Sequence, residues 1–188
     1  MLIIYAHPNK TGHCGYILKK VEETLKKRNI PYLILDLYAL NYLPILQPDE
    51  HYTSNHCKIS PETQEFQQLL KKEERFIFIY PTWWNNMPAI LKGFFDRTMT
   101  NHFAYRYVNF IPRGLLRGKA LVFTTTGGPA LIEKLLLGNR SLKLITRDIL
   151  GFCGIRAKGV LIGSARKFDS EKKIFIDKVI EKNINFLN

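Results

Sequence analysis

Two adjacent tryptophans, Trp83 and Trp84, follow an apolar run in the segment "YPTWWNN" (80–86). Large flat rings stack on another π-system with a gain of about 0.5–1.5 kcal/mol beyond the area they bury. Prolines on both sides hold the segment open, and its backbone N–H groups would lie near the edge of a stacked ring. The alternative is that the indoles close the end of the core. The residues that could border a flat ligand here are Pro81, Thr82, Trp83, Trp84 and Asn85.

Two further loops carry residue types suited to ligand binding. The segment "HPNKTGHCG" (7–15) contains no acid and precedes an amphipathic helix, so its free N–H groups and helix dipole favour an anion such as phosphate. The segment "TTTGGP" (124–129) combines hydroxyls with two glycines, which allow backbone donors to approach a ligand closely. Ordinary turns remain the alternative for both loops, and neither contains a nucleotide-binding glycine motif.

The elements that must position these loops alternate along the chain. Apolar runs predict strands at 2–6, 31–37, 75–80, 119–125 and 159–163, and amphipathic patterns predict helices at about 12–28, 60–72, 87–99, 142–152 and 170–186. Residues 38–60 form a long excursion without periodicity. Five apolar strands separated by helices require a parallel sheet covered on both faces. We therefore expect one α/β domain over 1–188, a three-layer sandwich with the flavodoxin-like strand order 2-1-3-4-5.

In this order the first, third and fourth strands lie side by side, so the three loops meet at their carboxyl ends. Together they offer a phosphate end, an aromatic slab and a rim of amide donors. A flavin has those three parts.

Composition limits the other functions. The net charge is +12, and residues 101–167 contain twelve Lys or Arg against two acids, Glu133 and Asp148. No basic-aromatic recognition motif accompanies this bias, so we expect no nucleic-acid binding. A phosphorylated small-molecule ligand or simple solubility would explain the excess of positive charge. No apolar run approaches the ~20 residues of a membrane span, which predicts no membrane insertion.

Cysteine and histidine usage adds two expectations. Three cysteines without C-x-x-C spacing favour a reducing, cytoplasmic location. His51, His56 and Cys57 suggest a metal site, but a chance grouping in a polar loop is favoured, and we predict no metal.

The motifs "IIYAHP" (3–8), "DLYALNYLPIL" (36–46), "PAILKGFFDR" (88–97), "HFAYRY" (102–107), "TTTGGP" and "GFCGI" (151–155) occur in this order along nearly the whole chain. In these motifs the sequence resembles the NAD(P)H:quinone oxidoreductase family, which includes modulator-of-drug-activity and potassium-efflux-ancillary branches. The resemblance implies a cytosolic homodimeric flavoprotein, with FAD favoured over FMN. It further implies hydride transfer from NAD(P)H to the flavin and then to a quinone-like acceptor. A regulatory subunit of a potassium-efflux antiporter is the alternative.

The resemblance also assigns roles by position. It implies that the phosphate and ribityl arm of the flavin face His7, Thr11, His13 and Cys14. It implies that the isoalloxazine borders Thr82, Trp83, Trp84 and Asn85, and that its pyrimidine edge meets Thr125, Thr126, Gly127 and Gly128. Tyr105 and Tyr107 would close the substrate pocket from the neighbouring subunit, unless they are ordinary aromatics of a long connection.

The sequence departs from the family at two places. Animal members have a Tyr and a His after the Gly-Gly loop, where this chain has Glu133 and Asn139, so we name no catalytic side chain. His13 and Cys14 replace a common Phe-Asn, which leaves both FAD and FMN open. Cys14 near a helix N-terminus could have a lowered pKa and act as a redox sensor, although a small buried residue is the favoured alternative.

Overall fold

The structure is a computed structural model that describes residues 1–51, 53–54 and 58–188. Its main sheet contains β1 (Leu2–Tyr5), β2 (Leu33–Asp36), β3 (Arg75–Pro81), β6 (Lys119–Thr125) and β7 (Arg156–Ile162). All four strand pairs are parallel, and the order β2-β1-β3-β6-β7 is the predicted one. The expected flavodoxin-like sheet is therefore confirmed.

Helices cover both faces because successive side chains of each buried strand point to opposite sides. Ile3, Ile77 and Leu121 face α1 (His13–Lys27) and α6 (Ser170–Ile184). Ile4, Phe78 and Val122 face the other layer. That layer contains α2 (Pro61–Lys72), α3 (Ala89–Thr98) and a helical segment in which α5 (Arg140–Lys143) continues into a π-helical stretch, Leu144–Gly151.

The sequence pattern missed three features. A hairpin of β4 (Tyr105–Val108) and β5 (Ile111–Gly114) interrupts the expected connection, and a short helix α4 (Ala130–Leu135) follows the Gly-Gly loop. The last strand begins at Arg156 rather than at residue 159. The hairpin has no fully buried strand residue, so it shows no apolar alternation, and its turn uses left-handed Asn109 and Phe110 in place of glycine.

The long excursion after β2 is fastened to α3 by one buried arginine. Arg97 donates from Nη2 to Glu50 Oε1 (2.7 Å) and from Nε to Glu50 Oε2 (3.0 Å), and its Nη1 donates to the Leu43 carbonyl (2.6 Å). Gly93 lets the same segment approach closely, because a Cβ there would lie 2.1 Å from the Pro44 oxygen. The excursion is therefore packed against the domain that carries the predicted site.

Among the described residues, no helix is both long enough and apolar enough to cross a membrane. Within the same ranges, no three His, Cys, Asp or Glu side chains group as metal ligands. His56 and Cys57 lie outside the described residues, so the expectation of no metal stays a prediction.

Candidate functional site

The loop after β3 is a tight turn with a strained tryptophan at its tip. Trp83 N donates to Asn86 O and Asn86 N donates to Trp83 O, both at 2.9 Å. Between them Trp84 (φ 50°) and Asn85 (φ 56°) adopt left-handed backbone. This conformation costs a bulky residue about 1–3 kcal/mol, and strain of this kind is concentrated at functional sites.

Both indoles lie at the surface. The Trp84 side chain is fully exposed (101%), and Trp83 is exposed as well, with its ring centroid 6.1 Å from that of His7. The alternative in which the two indoles fill the core is therefore wrong. An aromatic face held in water by a strained turn is instead available to a ligand.

Hydroxyl groups join this loop to the loop after β6. Thr82 N donates to Thr125 O (2.7 Å), and the Thr82 and Thr124 Oγ1 atoms are 2.8 Å apart. Thr82 Oγ1 also donates to Ser141 Oγ over 3.4 Å, at the start of the helical segment after α4. The two loops therefore meet, as the strand order predicts.

A fourth loop, after β7, also belongs to this edge, and the sequence reasoning missed it. Ser164 N donates to Gly128 O (2.7 Å), and Ala165 N donates to Thr126 O (2.9 Å). Beside Gly127 lies a depression of 650 Å³ with Arg166 among its lining residues, together with Lys167 and Lys172. The signal was present, because "GSARKFD" (163–169) follows a parallel strand just as the other three loops do.

The first loop is organised by Asn9, which the sequence reasoning did not select. Its Oδ1 accepts hydrogen bonds from Thr11 N and Thr11 Oγ1, both at 2.8 Å, and its own N–H donates to His7 Nδ1 (2.9 Å). Helix α1 then begins after Gly12 without a side-chain cap and without an acid in its first turn. Its first N–H groups are suited to an anion.

Three of the predicted site side chains contact other residues of the same chain. Cys14 is buried, its Sγ lies 3.5 Å from Thr125 Oγ1, and burial raises the pKa of the thiol to about 12. The sensor hypothesis, which needs a lowered pKa, is wrong, and the side chains of Cys14 and Thr125 face each other rather than the open edge. The His13 Nε2 atom is 3.0 Å from the Lys167 carbonyl, and burial lowers the pKa of this ring.

Tyr105 and Tyr107 do not join the four loops of their own chain. Their rings meet edge to face at 5.9 Å, and Tyr105 packs on Phe152 at 4.9 Å. Phe152 follows the helical segment that leads back to the start of β7. This end of the sheet is opposite the loops, so the fold of a single chain does not bring these two rings to the site.

Three unpartnered acceptors belong to the same edge. Asn85 Oδ1, Glu133 Oε1 and Asn139 Oδ1 are buried and lack a hydrogen-bond partner among the described residues. Asn139 precedes by two residues the Ser141 that contacts Thr82, and its N–H donates to the Glu133 carbonyl (3.0 Å). An unsatisfied buried acceptor costs about 1–3 kcal/mol, so these oxygens suit a ligand that supplies N–H or O–H donors.

A family model described as "Flavodoxin-like fold" matches residues 1–182. An uncharacterized NAD(P)H oxidoreductase of Haemophilus influenzae is 30% identical over 186 residues, which cover 96% of this chain and 92% of that protein. The chain belongs to this flavodoxin-like family of NAD(P)H oxidoreductases. Rat NAD(P)H dehydrogenase [quinone] 1 is also 30% identical, over 82% of this chain and 65% of its own length. The family resemblance drawn from the motifs is thereby confirmed.

Solved structures of the same fold agree with this membership. Smu.1420 from Streptococcus mutans is 33% identical and superposes with a TM-score of 0.85, over 98% of both chains. An FMN-dependent NADH-azoreductase from Bacillus anthracis, solved with FMN, is 20% identical with a TM-score of 0.81, over 98% of this chain and 97% of its own. The names of these relatives include no antiporter subunit, so the regulatory alternative gains no support.

Proposed function

We propose that this protein is a flavin-dependent NAD(P)H oxidoreductase that reduces quinones or similar two-electron acceptors. The observation that carries the proposal is the strained, fully exposed indole of Trp84, at the edge where three buried acceptors have no hydrogen-bond partner within residues 1–51, 53–54 and 58–188. Membership of a family of NAD(P)H oxidoreductases supports the same reaction class.

The residues at this edge fit a flavin. Trp84 offers a flat apolar face, and Asn85 Oδ1 and Asn139 Oδ1 can accept from ring N–H groups. A Cβ at Gly12 or Gly128 would meet nothing within 4 Å, so open space adjoins both the start of α1 and the Gly-Gly loop. The uncapped first turn of α1 would hold a phosphate.

A flavin held by these residues would supply hydride transfer between NAD(P)H and the acceptor. The protein has to orient the reactants and exclude water, which accounts for a large share of such catalysis. Trp84 and the turn around it would shield one ring face, while the Thr82–Thr124–Ser141 hydroxyl cluster keeps the neighbouring loops in register. Glu133 is buried, and its Oε1 has no hydrogen-bond partner in the part of the chain that the structure describes, so this oxygen would accept a hydrogen bond from the ligand.

A second subunit would complete the pocket. Tyr107 is exposed on the hairpin, and Phe110 and Ile111 at the hairpin tip are exposed apolar residues, as expected of a surface that another copy covers. We therefore propose a homodimer in which Tyr105 and Tyr107 of one copy reach the site of the other.

We further propose FMN as the flavin, which revises the sequence-based preference for FAD. The FMN complex of the same fold supports this choice.

The test is to purify the protein, release any bound flavin by heat, and identify it by chromatography. We expect FMN at about one per chain. NADH and NADPH should then reduce the bound flavin without oxygen, and a panel of quinones and azo dyes should reoxidise it. A protein that neither contains flavin nor takes up FMN or FAD would refute the proposal.

A further inference from the structure

The short helix after the Gly-Gly loop presents apolar side chains outward. We term residues 131–137 the leucine segment, in which Leu135 (68%) and Leu136 (78%) are the most exposed. Its exposed apolar residues are Leu131, Ile132, Leu135, Leu136 and Leu137. Glu133 is the one buried residue of α4. A contiguous apolar segment on the outside of a chain marks a contact surface.

A second exposed apolar surface lies at the other end of the sheet. Tyr107 (60%) and Phe110 (97%) protrude from the hairpin of β4 and β5, beside a depression of about 590 Å³. We term these two side chains and the depression the hairpin surface. The apolar residues that line the depression include Phe95, Met99, Tyr105, Ile149 and Phe152. The hairpin cations, Arg106 and Arg113, lie opposite each other in the strand register, on the face away from Tyr107.

The two surfaces belong to one layer but to opposite ends of it. Tyr105 at the base of the hairpin and Leu142 after the leucine segment pack against the same core. Strand β6 leads from the hairpin end to the loop end, and its seven residues span about 23 Å at the usual rise per residue. One chain therefore does not cover its leucine segment with its own hairpin.

We propose that the leucine segment of one copy packs on the hairpin surface of its partner copy. A two-fold axis perpendicular to the strands, beside this layer, turns the loop end of one copy onto the hairpin end of the other, so the contact forms twice. The inference rests on the homodimer of the proposed function and names the surface that receives the hairpin. Because Gly128 and Asn139 flank the leucine segment, the partner would close the site at this point.

Charge favours this pairing over contact between two leucine segments. Lys134 and Arg140 are exposed beside the leucine segment. If the segment packed on the same segment of its partner, the cations of both copies would gather around one small apolar patch. The hairpin surface offers the opposite sign, because Asp96 and Asp148 line its depression, each in an exposed ion pair with a cation of its own chain. Exposed pairs of this kind are weak and exchange partners at low cost.

The experiment is sedimentation velocity of the full-length protein, without nicotinamide or quinone. One double variant, Leu135→Glu with Leu136→Glu, alters the leucine segment, and the other, Tyr107→Lys with Phe110→Lys, alters the hairpin surface. Each variant damages one side of both contacts, so we expect the Kd for dimer dissociation to rise at least about a hundredfold. Far-UV circular dichroism checks that both variants are folded.

An equimolar mixture of the two variants tests which surfaces meet. A mixed dimer keeps one contact intact and places the new glutamates of one chain against the new lysines of the other, so the mixture should dimerise although neither variant does so alone. The control, Ile174→Glu with Phe175→Glu, changes comparably exposed residues (55% and 47%) of α6, on the other face of the sheet. It should dimerise like the wild type.

Four results would overturn the inference. The wild type could be a monomer, the leucine variant could dimerise as tightly as the wild type, or the mixture could remain monomeric. The leucine variant alone could lose dimerisation while the hairpin variant keeps it, which would assign the leucine segment to contact with itself. Flavin content and turnover of the wild type are measured separately. A monomer that binds flavin and turns over would refute only the dimer contact, and a mixture that dimerises without any flavin uptake would refute only the proposed reaction.

Discussion

Replacing Trp84 by alanine should separate ligand binding from folding. The indole is fully exposed, so its removal takes no packing from the core, and we expect the free energy of unfolding to stay within about 0.5 kcal/mol of the wild type. The affinity of the Trp84→Ala variant for flavin should fall sharply. Covering one face of a tryptophan removes about 100 Å² from water, worth about 2.5 kcal/mol, and stacking adds about 0.5–1.5 kcal/mol.

Since part of this area stays in contact through the backbone, we expect a loss of about 2–4 kcal/mol, or a roughly 30- to 1000-fold rise in Kd. Quenching of flavin fluorescence gives the Kd, and urea unfolding of the apoprotein gives the stability. Trp84→Phe is the control, because it keeps a flat ring and should retain most of the affinity.

The strained backbone at Trp84 allows a second test, which compares the free energies of unfolding of the alanine and glycine variants. Trp84→Gly should bind flavin as weakly as the alanine variant but unfold with a free energy about 1 kcal/mol higher, because glycine adopts φ 50° without strain. Unchanged flavin affinity in Trp84→Ala, or a large loss of its stability, would refute the assignment of this indole as an exposed stacking surface.

Three further predictions concern the supporting structure. Arg97→Ala should lower the free energy of unfolding by about 3–5 kcal/mol because it removes the guanidinium that neutralises the buried Glu50 carboxylate. Burial alone raises the pKa of Glu50, but the hydrogen bonds from Arg97 and nearby donors outweigh it and hold the pKa below its usual value. The contribution of Glu50 to the free energy of unfolding is therefore fully present above the pKa of Glu50 in the unfolded chain. It should be lost as pH falls through the lower pKa of Glu50 in the folded protein. If the free energy of unfolding depended on pH equally in the wild type and in Glu50→Gln, this prediction would be contradicted. Gly93→Ala should cost about 2 kcal/mol or more in thermal or urea unfolding, since its Cβ would lie 2.1 Å from the Pro44 oxygen, and a stabilised variant would disprove that close approach. Cys14 should resist iodoacetamide at neutral pH until the protein unfolds, measured by mass spectrometry of its peptide, because its thiol is buried with a pKa of about 12.

The sequence was informative where apolar runs dictate burial. Runs such as Ile3–Ile4 and Phe76–Phe78 must be covered on both faces, which leaves few alternatives to a parallel sheet, and the strand order then brings the loops together. The helix that begins after Ser60 was also predictable, since the Ser60 side chain accepts from Thr63 N as a cap should.

The features that the sequence did not predict depend on the local backbone and on contacts between distant residues. The left-handed backbone of Trp84 has no glycine to signal it, and the bond between Cys14 and Thr125 joins residues 111 positions apart. The burial of Glu133 amid exposed leucines contradicts the usual polarity of a helix, so no periodicity argument could have found it. Such local exceptions are typical of functional surfaces.

The most direct test of the account is a crystal structure of the protein grown with FMN. It should show the isoalloxazine against the Trp84 indole, with its polar edge within about 2.7–3.2 Å of donors or acceptors from Asn85 and the Gly127–Gly128 loop. A flavin bound elsewhere, or Trp84 still surrounded by water while the protein is saturated with FMN, would contradict it.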